Sequence, residues 1–175
     1  LYDHSGNQNH GTIHGATWLE SNCLEIHENA NLISFSTLPL HGLNDVPECI
    51  DAILGAGEAA TYDNGSWLGS QIDFSCTDGY WFMNNTCDDF EWCYYGTECS
   101  DSISYSLHPA ANLISYPYSE CGNIAEVLPD NVEECIHAIL GEGMAAINSE
   151  TVWFGALQLL CPNNGYWFQN QCDED

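Results

Sequence analysis

Carboxylates and histidines are the side chains in this sequence whose types and spacing could bind a metal ion. The chain of 175 residues has 26 Asp and Glu, 7 His and neither Lys nor Arg, which gives a formal net charge of −26. His10 and His14, with His4 nearby, would share one face of a strand and could bind zinc or copper, although their Gly- and Asn-rich surroundings favour ordinary surface histidines. Two acidic clusters offer the hard oxygen ligands that Ca²⁺ prefers: Asp88, Asp89 and Glu91, and then Asp173, Glu174 and Asp175.

Calcium is the one cofactor that these clusters suggest. Neither cluster has the spacing of an EF-hand loop, so the alternatives are a specific calcium site and diffuse counterion binding to a polyanion.

The sequence lacks the arrangements that support common catalytic mechanisms. No Gly-x-Ser-x-Gly elbow is present for a serine nucleophile. The Gly-x-Gly segments at Gly55 and Gly141 follow predicted helices instead of preceding them, which is the wrong order for a phosphate loop. We therefore expect that the protein is not an enzyme. An acidic hydrolase, with two carboxylates at catalytic separation, is a third interpretation.

The absence of Lys and Arg restricts the partners of the chain. Without these side chains nothing can neutralise phosphates, so nucleic acid is excluded, and no basic patch can hold an anionic membrane surface. No apolar run is long enough to cross a bilayer, so membrane insertion is not expected. The basic residues are missing either because proteases excised the chain from a precursor or because selection removed their cleavage sites. Both explanations favour a protein exposed to external proteases.

An even number of cysteines indicates a disulfide framework and an extracellular or cell-surface location. Residues 1–20 do not resemble a signal peptide, so we expect a mature chain. Asn64 and Asn84 begin sequons and are candidate glycosylation sites. The ten disulfide candidates are Cys23, Cys49, Cys76, Cys87, Cys93, Cys99, Cys121, Cys135, Cys161 and Cys172.

An internal repeat organises the chain. Residues 31–35 (NLISF) return as 112–116 (NLISY), and residues 79–82 (GYWF) return as 165–168. Between them, ECIDAILG at 48–55 returns as ECIHAILG at 134–141. The predicted organisation is an N-terminal strand-like segment (1–22), repeat 1 (23–90), a linker (91–100) and repeat 2 (101–175).

Each repeat predicts a small β-α-β-β-β unit, so the expected fold class is α+β, with two tandem units stapled by disulfides. Asp45 is suited to cap a helix, which Gly55 and Gly57 would end. Asn64-Gly65 predicts a hairpin turn, and Gly79–Met83 predicts the last strand. The prediction of a helix depends on apolar residues whose spacing would place them on one helical face. These residues are Val46, Cys49, Ile50, Ile53 and Leu54, and in repeat 2 Val132, Cys135, Ile136, Ile139 and Leu140.

This plan also predicts how the cysteines pair. A cysteine on the buried face of the helix needs a partner in the sheet beneath it, and the repeat suggests the same pairing twice. The expected bridges are Cys49–Cys76, Cys135–Cys161, Cys23–Cys87, Cys99–Cys172 and Cys93–Cys121.

Two parts of the sequence resemble known families. The stretch 3–18 (DHSGNQNHGTIHGATW) resembles the opening strand of laminin-G-like, concanavalin A-like domains, although the rest of such a domain is missing. Residues 30–84 and 111–168, through their NLIS and GYWF motifs and Trp67 and Trp153, resemble a module found near the C-terminal ends of secreted or surface proteins of marine bacteria. This second resemblance implies an extracellular accessory module without assigned chemistry.

We expect a structural subunit of an extracellular assembly, such as a filament, sheath or surface layer. Residues 1–22 would pair with the sheet edge of a neighbouring copy, head to tail. The alternative is a monomeric adhesion or carbohydrate-binding module excised from a larger surface protein. The aromatic residues available for stacking on glycans are Trp18, Trp67, Tyr80, Trp81, Trp153, Tyr166 and Trp167, most of which are expected in the core.

Overall fold

A computed structural model describes residues 19–70, 73–100 and 102–172. His4, His10, His14, Trp18 and residues 173–175 lie outside the described residues. The strands of the described part are β1 (Glu20–Ile26), β2 (Asn29–Ser34), β3 (Thr37–Pro39), β4 (Ala52–Leu54), β5 (Ala59–Asp63), β6 (Ser66–Gly69), β7 (Gly79–Asn84), β8 (Phe90–Glu98), β9 (Ala110–Ser115), β10 (Gly122–Asn123), β11 (Ile136–Leu140), β12 (Ala145–Ser149), β13 (Val152–Gly155), β14 (Leu159–Leu160) and β15 (Gly165–Asn170). The helical segments are a 3₁₀ turn (Gly42–Asp45), α1 (Ile124–Val127) and α2 (Asp130–Glu133).

The two halves of the chain build the same five-stranded antiparallel sheet. In module one (residues 19–100) the strand order is β2-β7-β4-β5-β6, and in module two (residues 102–172) it is β9-β15-β11-β12-β13. The strand with the GYWF motif is therefore the second strand of each sheet. The predicted Asn64-Gly65 hairpin is present: both residues have positive φ, and Asp63 pairs with Ser66 across the turn.

The expected α+β fold is wrong, because the protein is mostly β. Where a helix was predicted in module one, the chain forms the 3₁₀ turn and then β4, and in module two it forms α2 and then β11. Ile139 is fully buried whereas its neighbour Leu140 is 39% exposed, which is the alternation of a strand.

An irregularity in the strand explains why the sequence imitates a helix. The pairing of β11 with β15 shifts register between Ile136 and Ala138. A bulge of this kind lets two residues three positions apart face the same side of a sheet. Ile136 and Ile139 are both fully buried for this reason, and their spacing is also that of a helical face. The Gly55–Glu58 segment, expected at a helix end, is the turn between β4 and β5.

Module one has a second layer that closes its core. Strands β1, β8 and β3 form a three-stranded sheet with β8 in the centre. The segment expected as a linker (91–100) thus supplies most of β8, and residues 20–22 of the expected N-terminal segment begin β1. The core between the two sheets is strongly aromatic: Phe35 contacts Trp92 and Tyr94 edge to face, with ring centroids 6.2 and 6.0 Å apart.

Module two covers its sheet differently. Its second layer consists of α1, α2 and the short pair of β10 with β14. The buried residues beneath this layer include Tyr116, Ile136, Ile139 and Phe168.

The modules meet around a pseudo-twofold axis. The Ser34 N–H donates to the Asn163 carbonyl at 2.9 Å, and its repeat equivalent Ser115 donates to the Thr77 carbonyl at 3.0 Å. A Cβ on Gly79 would lie 3.2 Å from the Cα of Gly165, and a Cβ on Gly165 would lie 3.3 Å from the Cα of Gly79. Glycine is needed at both positions because the two backbones approach too closely for a side chain.

All ten cysteines form disulfides, but none of the five expected pairings is present. Cys49–Cys87 and Cys135–Cys172 are equivalent bridges in the two modules. They form because β4 runs antiparallel to β7, so that the residues before β4 lie beside those after β7. The remaining bridges are Cys23–Cys93, Cys76–Cys99 and Cys121–Cys161.

Candidate interaction surfaces

Each five-stranded sheet has an outer face, opposite the core, that is made almost entirely of uncharged side chains. In module two the outer face consists of Ala111, Ala138, Leu140, Ala145, Ile147, Ser149, Val152, Phe154, Trp167 and Gln169, as the strand pairing shows. In module one it consists of Ala30, Ala52, Leu54, Ala59, Thr61, Asp63, Ser66, Leu68, Trp81 and Met83. Leu32 and Leu113 lie on the same sides of the sheets but are 1% and 3% exposed, because each packs against the other module beside Gly165 or Gly79. Asp63, next to a hairpin turn, is the one charged residue among these positions.

The large side chains at the far edges of these faces are well exposed. Ile147 and Phe154 are direct cross-strand partners and are 52% and 59% exposed. Leu68, at the equivalent place in module one, is 56% exposed. An antiparallel sheet with one face in water normally carries polar side chains there. Two apolar faces on a chain of charge −26 therefore indicate surfaces that contact something.

The predicted fold has no such outer faces, because it places a helix where their central strands β4 and β11 lie. The signal was available: in the segments 138–140, 145–147 and 152–154, apolar residues occur at consecutive positions. Such runs are typical of strands covered on both sides.

Most aromatic candidates for glycan stacking are structural. Tyr80 and Tyr166 are 2% and 3% exposed, and each accepts a backbone N–H in its own module. Trp67 and Trp153 pack against the two cores. Only Trp81 and Trp167, partly exposed on the outer faces, remain as stacking candidates among the described residues.

A polar contact joins the modules beside the pseudo-twofold axis. Glu142, in the turn between β11 and β12, accepts the Leu32 N–H through Oε2 at 2.7 Å and contacts His27 Nε2 through Oε1. The Glu28 carbonyl, 2.7 Å from Nδ1, is the main cause that raises the pKa of His27, and Glu142 raises it further. The repeat equivalent of Glu142 is Ala56, so this ion pair exists on one side of the axis only.

Two buried asparagines hold the turn that carries His27. Asn31 accepts the His27 N–H at 2.8 Å and donates to its carbonyl at 2.9 Å. Asn84 donates to the same carbonyl at 3.2 Å. Asn112 and Asn170 repeat these contacts around His108. The asparagines of the NLIS motif therefore position a turn in each module.

The candidate calcium residues that the structure describes do not converge on a site. The Asp89 carboxylate accepts the Glu28 N–H at 2.8 Å. Glu91 lies directly opposite Glu25 on the exposed face of the β1–β8 pair. The cluster of Glu91 with Cys23 and Cys93 contains a disulfide, whose sulfurs are already bonded to each other. Asp173 and Glu174 lie outside the described residues.

The two sequons differ in access. Asn64 is exposed in its hairpin turn, where its amide donates to Asp63 at 3.0 Å. Asn84 is 1% exposed, and its amide is committed to the turn at His27. In the folded protein only Asn64 of this pair presents its amide to solvent.

These features define a disulfide-bonded, two-module β protein, and its five bridges fit a secreted or extracellular location. No family model, curated protein or solved structure matches the chain. None of the helices in the described part of the chain has the length and apolar character needed to span a bilayer.

Proposed function

We propose that this protein is a structural subunit of an extracellular assembly, such as a filament, sheath or surface layer. The observation that carries the proposal is the pair of apolar outer faces, on which Leu68, Ile147 and Phe154 are more than half exposed. Apolar area of this kind gains free energy when a contact removes it from water.

The occupant that we propose for the outer faces is a second copy of the chain. Two molecules that each carry −26 repel one another wherever their carboxylates approach. The outer faces are where two copies can approach without bringing carboxylates together. Divalent cations would screen the remaining repulsion, so calcium should promote assembly even without a dedicated site.

The N-terminal segment that we propose to pair with a neighbouring copy is shorter than the sequence suggested. Residues 20–22 pair with β8 in their own chain, so the segment that we propose to pair with a neighbour is residues 1–19. The extracellular location, the disulfides and the absence of Lys and Arg all suit a long-lived external structure.

Electron microscopy of the non-reduced protein in calcium tests this function. The wild-type protein should form ordered polymers, and Phe154→Glu should prevent them because it places a carboxylate in the outer face. Tyr95→Glu is the matched control, since Tyr95 is 65% exposed but lies on the three-stranded sheet. A wild-type protein that stays monomeric at high concentration, with or without calcium, would refute the proposal.

The alternative function, a monomeric adhesion or carbohydrate-binding module, has one observation in its favour. Trp81 and Trp167 occupy equivalent, partly exposed positions on the outer faces, where rings could stack on a sugar. Glycan binding by a monomer, lost in Trp81→Ala and Trp167→Ala, would favour this alternative.

A further inference from the structure

Module two lacks a strand that module one possesses. In module one, β1 leads into β2 through His27 and pairs along its whole length with β8. The equivalent segment of module two, residues 102–108, leads into β9 through His108. Its side chains alternate between exposed and half-buried, as in a strand, yet no strand pairs with it among the described residues.

The place of the missing strand is an open apolar groove of about 290 Å³, the module-two groove. Its walls include Ile103, Tyr105 and Leu107 from the unpaired segment, and Tyr116 and Phe168 from the core. By the repeat, Tyr116 and Phe168 are equivalent to Phe35 and Phe82. In module one the ring of Trp92, from β8, lies 6.2 Å from Phe35 and 5.9 Å from Phe82.

Side chains that are buried in module one are more exposed at the equivalent positions of module two, where the strand is absent. Leu24 and Ile26 of β1, which β8 helps to cover, are 4% and 1% exposed. Their equivalents Tyr105 and Leu107 are only half-buried. The disulfides differ accordingly: Cys76 is bonded to Cys99 just beyond β8, whereas Cys161, one position out of register with Cys76 in the repeat, is bonded to Cys121.

We propose that the module-two groove accepts a strand from the N-terminal segment, residues 1–19, of a second copy of this chain. The inserted strand would pair with residues 102–108, as β8 pairs with β1. This inference rests on the proposed function and names the acceptor for its N-terminal segment.

Charge and composition favour this segment as the occupant. Residues 1–19 contain a single acidic residue, Asp3, and three of the seven histidines. This segment can therefore approach a second, polyanionic copy of the chain with little electrostatic repulsion. Ile13, Trp18 and Leu19 supply large apolar side chains, and Trp18 is the same type of residue as Trp92 in β8.

Complementation between two full-length variants tests the inference. Ile103→Glu places a carboxylate in the groove and blocks the acceptor, while Trp18→Ser weakens the donor. Neither variant should polymerise alone. In a Phe154→Glu background, which removes the outer-face contact, a mixture of the two should form a dimer that stops growing, because only one acceptor and one donor are intact. The dimer should be absent when either variant is mixed with a copy that carries both substitutions, because that copy has neither an intact donor nor an intact acceptor.

Hydrogen exchange gives a local readout and an internal control. The amides of residues 103–107 should exchange rapidly in the monomer, and every second one, which bonds to the inserted strand, should become protected in the polymer. The amides of residues 22–26 that bond to β8, which are every second one because β1 is an edge strand, should be protected in both states. Polymers that form while residues 103–107 remain unprotected would overturn the inference and leave the proposed function standing. Protection of these amides in a strict monomer would overturn it too, since the strand would then come from the same chain.

Discussion

The repeat provides a controlled measurement of what a disulfide contributes. Cys49–Cys87 and Cys135–Cys172 close loops with sequence separations of 38 and 37 residues. If the bridge acts by restricting the unfolded chain, a loop of this length contributes about 4 kcal/mol at 25 °C. All four cysteines are half-buried, so replacing them with serine should perturb both folded modules to a similar extent.

Two double variants test this expectation: Cys49→Ser with Cys87→Ser, and Cys135→Ser with Cys172→Ser. Native-state hydrogen exchange of the amides of β7 in the first variant, and of β15 in the second, gives the free energy of opening for each module. Both values should fall by about 4 kcal/mol. A difference between the two losses of more than about 1 kcal/mol would refute the reasoning, because equal loops in equivalent places cannot then explain the stabilisation.

Three further predictions concern single residues. Gly165→Ala should destabilise the contact between modules by about 1–3 kcal/mol in thermal unfolding, because its Cβ would lie 2.8 Å from the Ile33 carbonyl oxygen; an unchanged melting temperature would contradict this. The pKa of His27 is raised in the folded state, so its contact with Glu142 stabilises the protein fully at a pH below the pKa of His27 in the unfolded chain. This stabilisation is lost as the pH rises through the pKa of His27 in the folded protein. Glu142→Gln should therefore lower the melting temperature more at about pH 6 than at about pH 9, and an equal loss at both would count against the ion pair. Burial raises the pKa of Tyr94 to about 12, so folding favours its neutral form; the wild-type protein should lose stability between about pH 10 and pH 12, and Tyr94→Phe should lose less.

The sequence predicted the elements whose signals are local. The Asn64-Gly65 turn follows from the positive φ that both residues tolerate, and the GYWF strand follows from its aromatic residues. The NLIS segment, which opens each predicted β-α-β-β-β unit, also forms a strand. These elements depend on a few neighbouring residues, so the sequence is sufficient to predict them.

The predictions of the helix and of the disulfide pairs were both wrong, because both assumed that Cys49 lies in a helix. A helical Cys49 would point into the core towards Cys76. In the structure Cys49 precedes β4 and lies beside Cys87, after β7, because antiparallel neighbours bring the start of one strand to the end of the other. The bulge in β11 that imitates helical spacing depends on pairing with a distant strand. No window of local sequence contains that information.

The sequence predicted one of the two partners in the proposed strand exchange. The resemblance of residues 3–18 to a single strand of a larger domain predicted that this segment pairs with another chain. Its proposed acceptor could not be predicted, because residues 102–108 are unusual only when their half-buried side chains are compared with β1. That comparison requires the three-dimensional course of β8.

The groove in one module and not the other gives any polymer built through it a direction. Each subunit would offer its N-terminal segment at one end and its open groove at the other. A filament would then have two chemically different ends, and monomers could add to each at a different rate. A short peptide with the sequence of residues 1–19 would occupy the free groove at one end and also the grooves of free monomers, so it would halt growth at both ends.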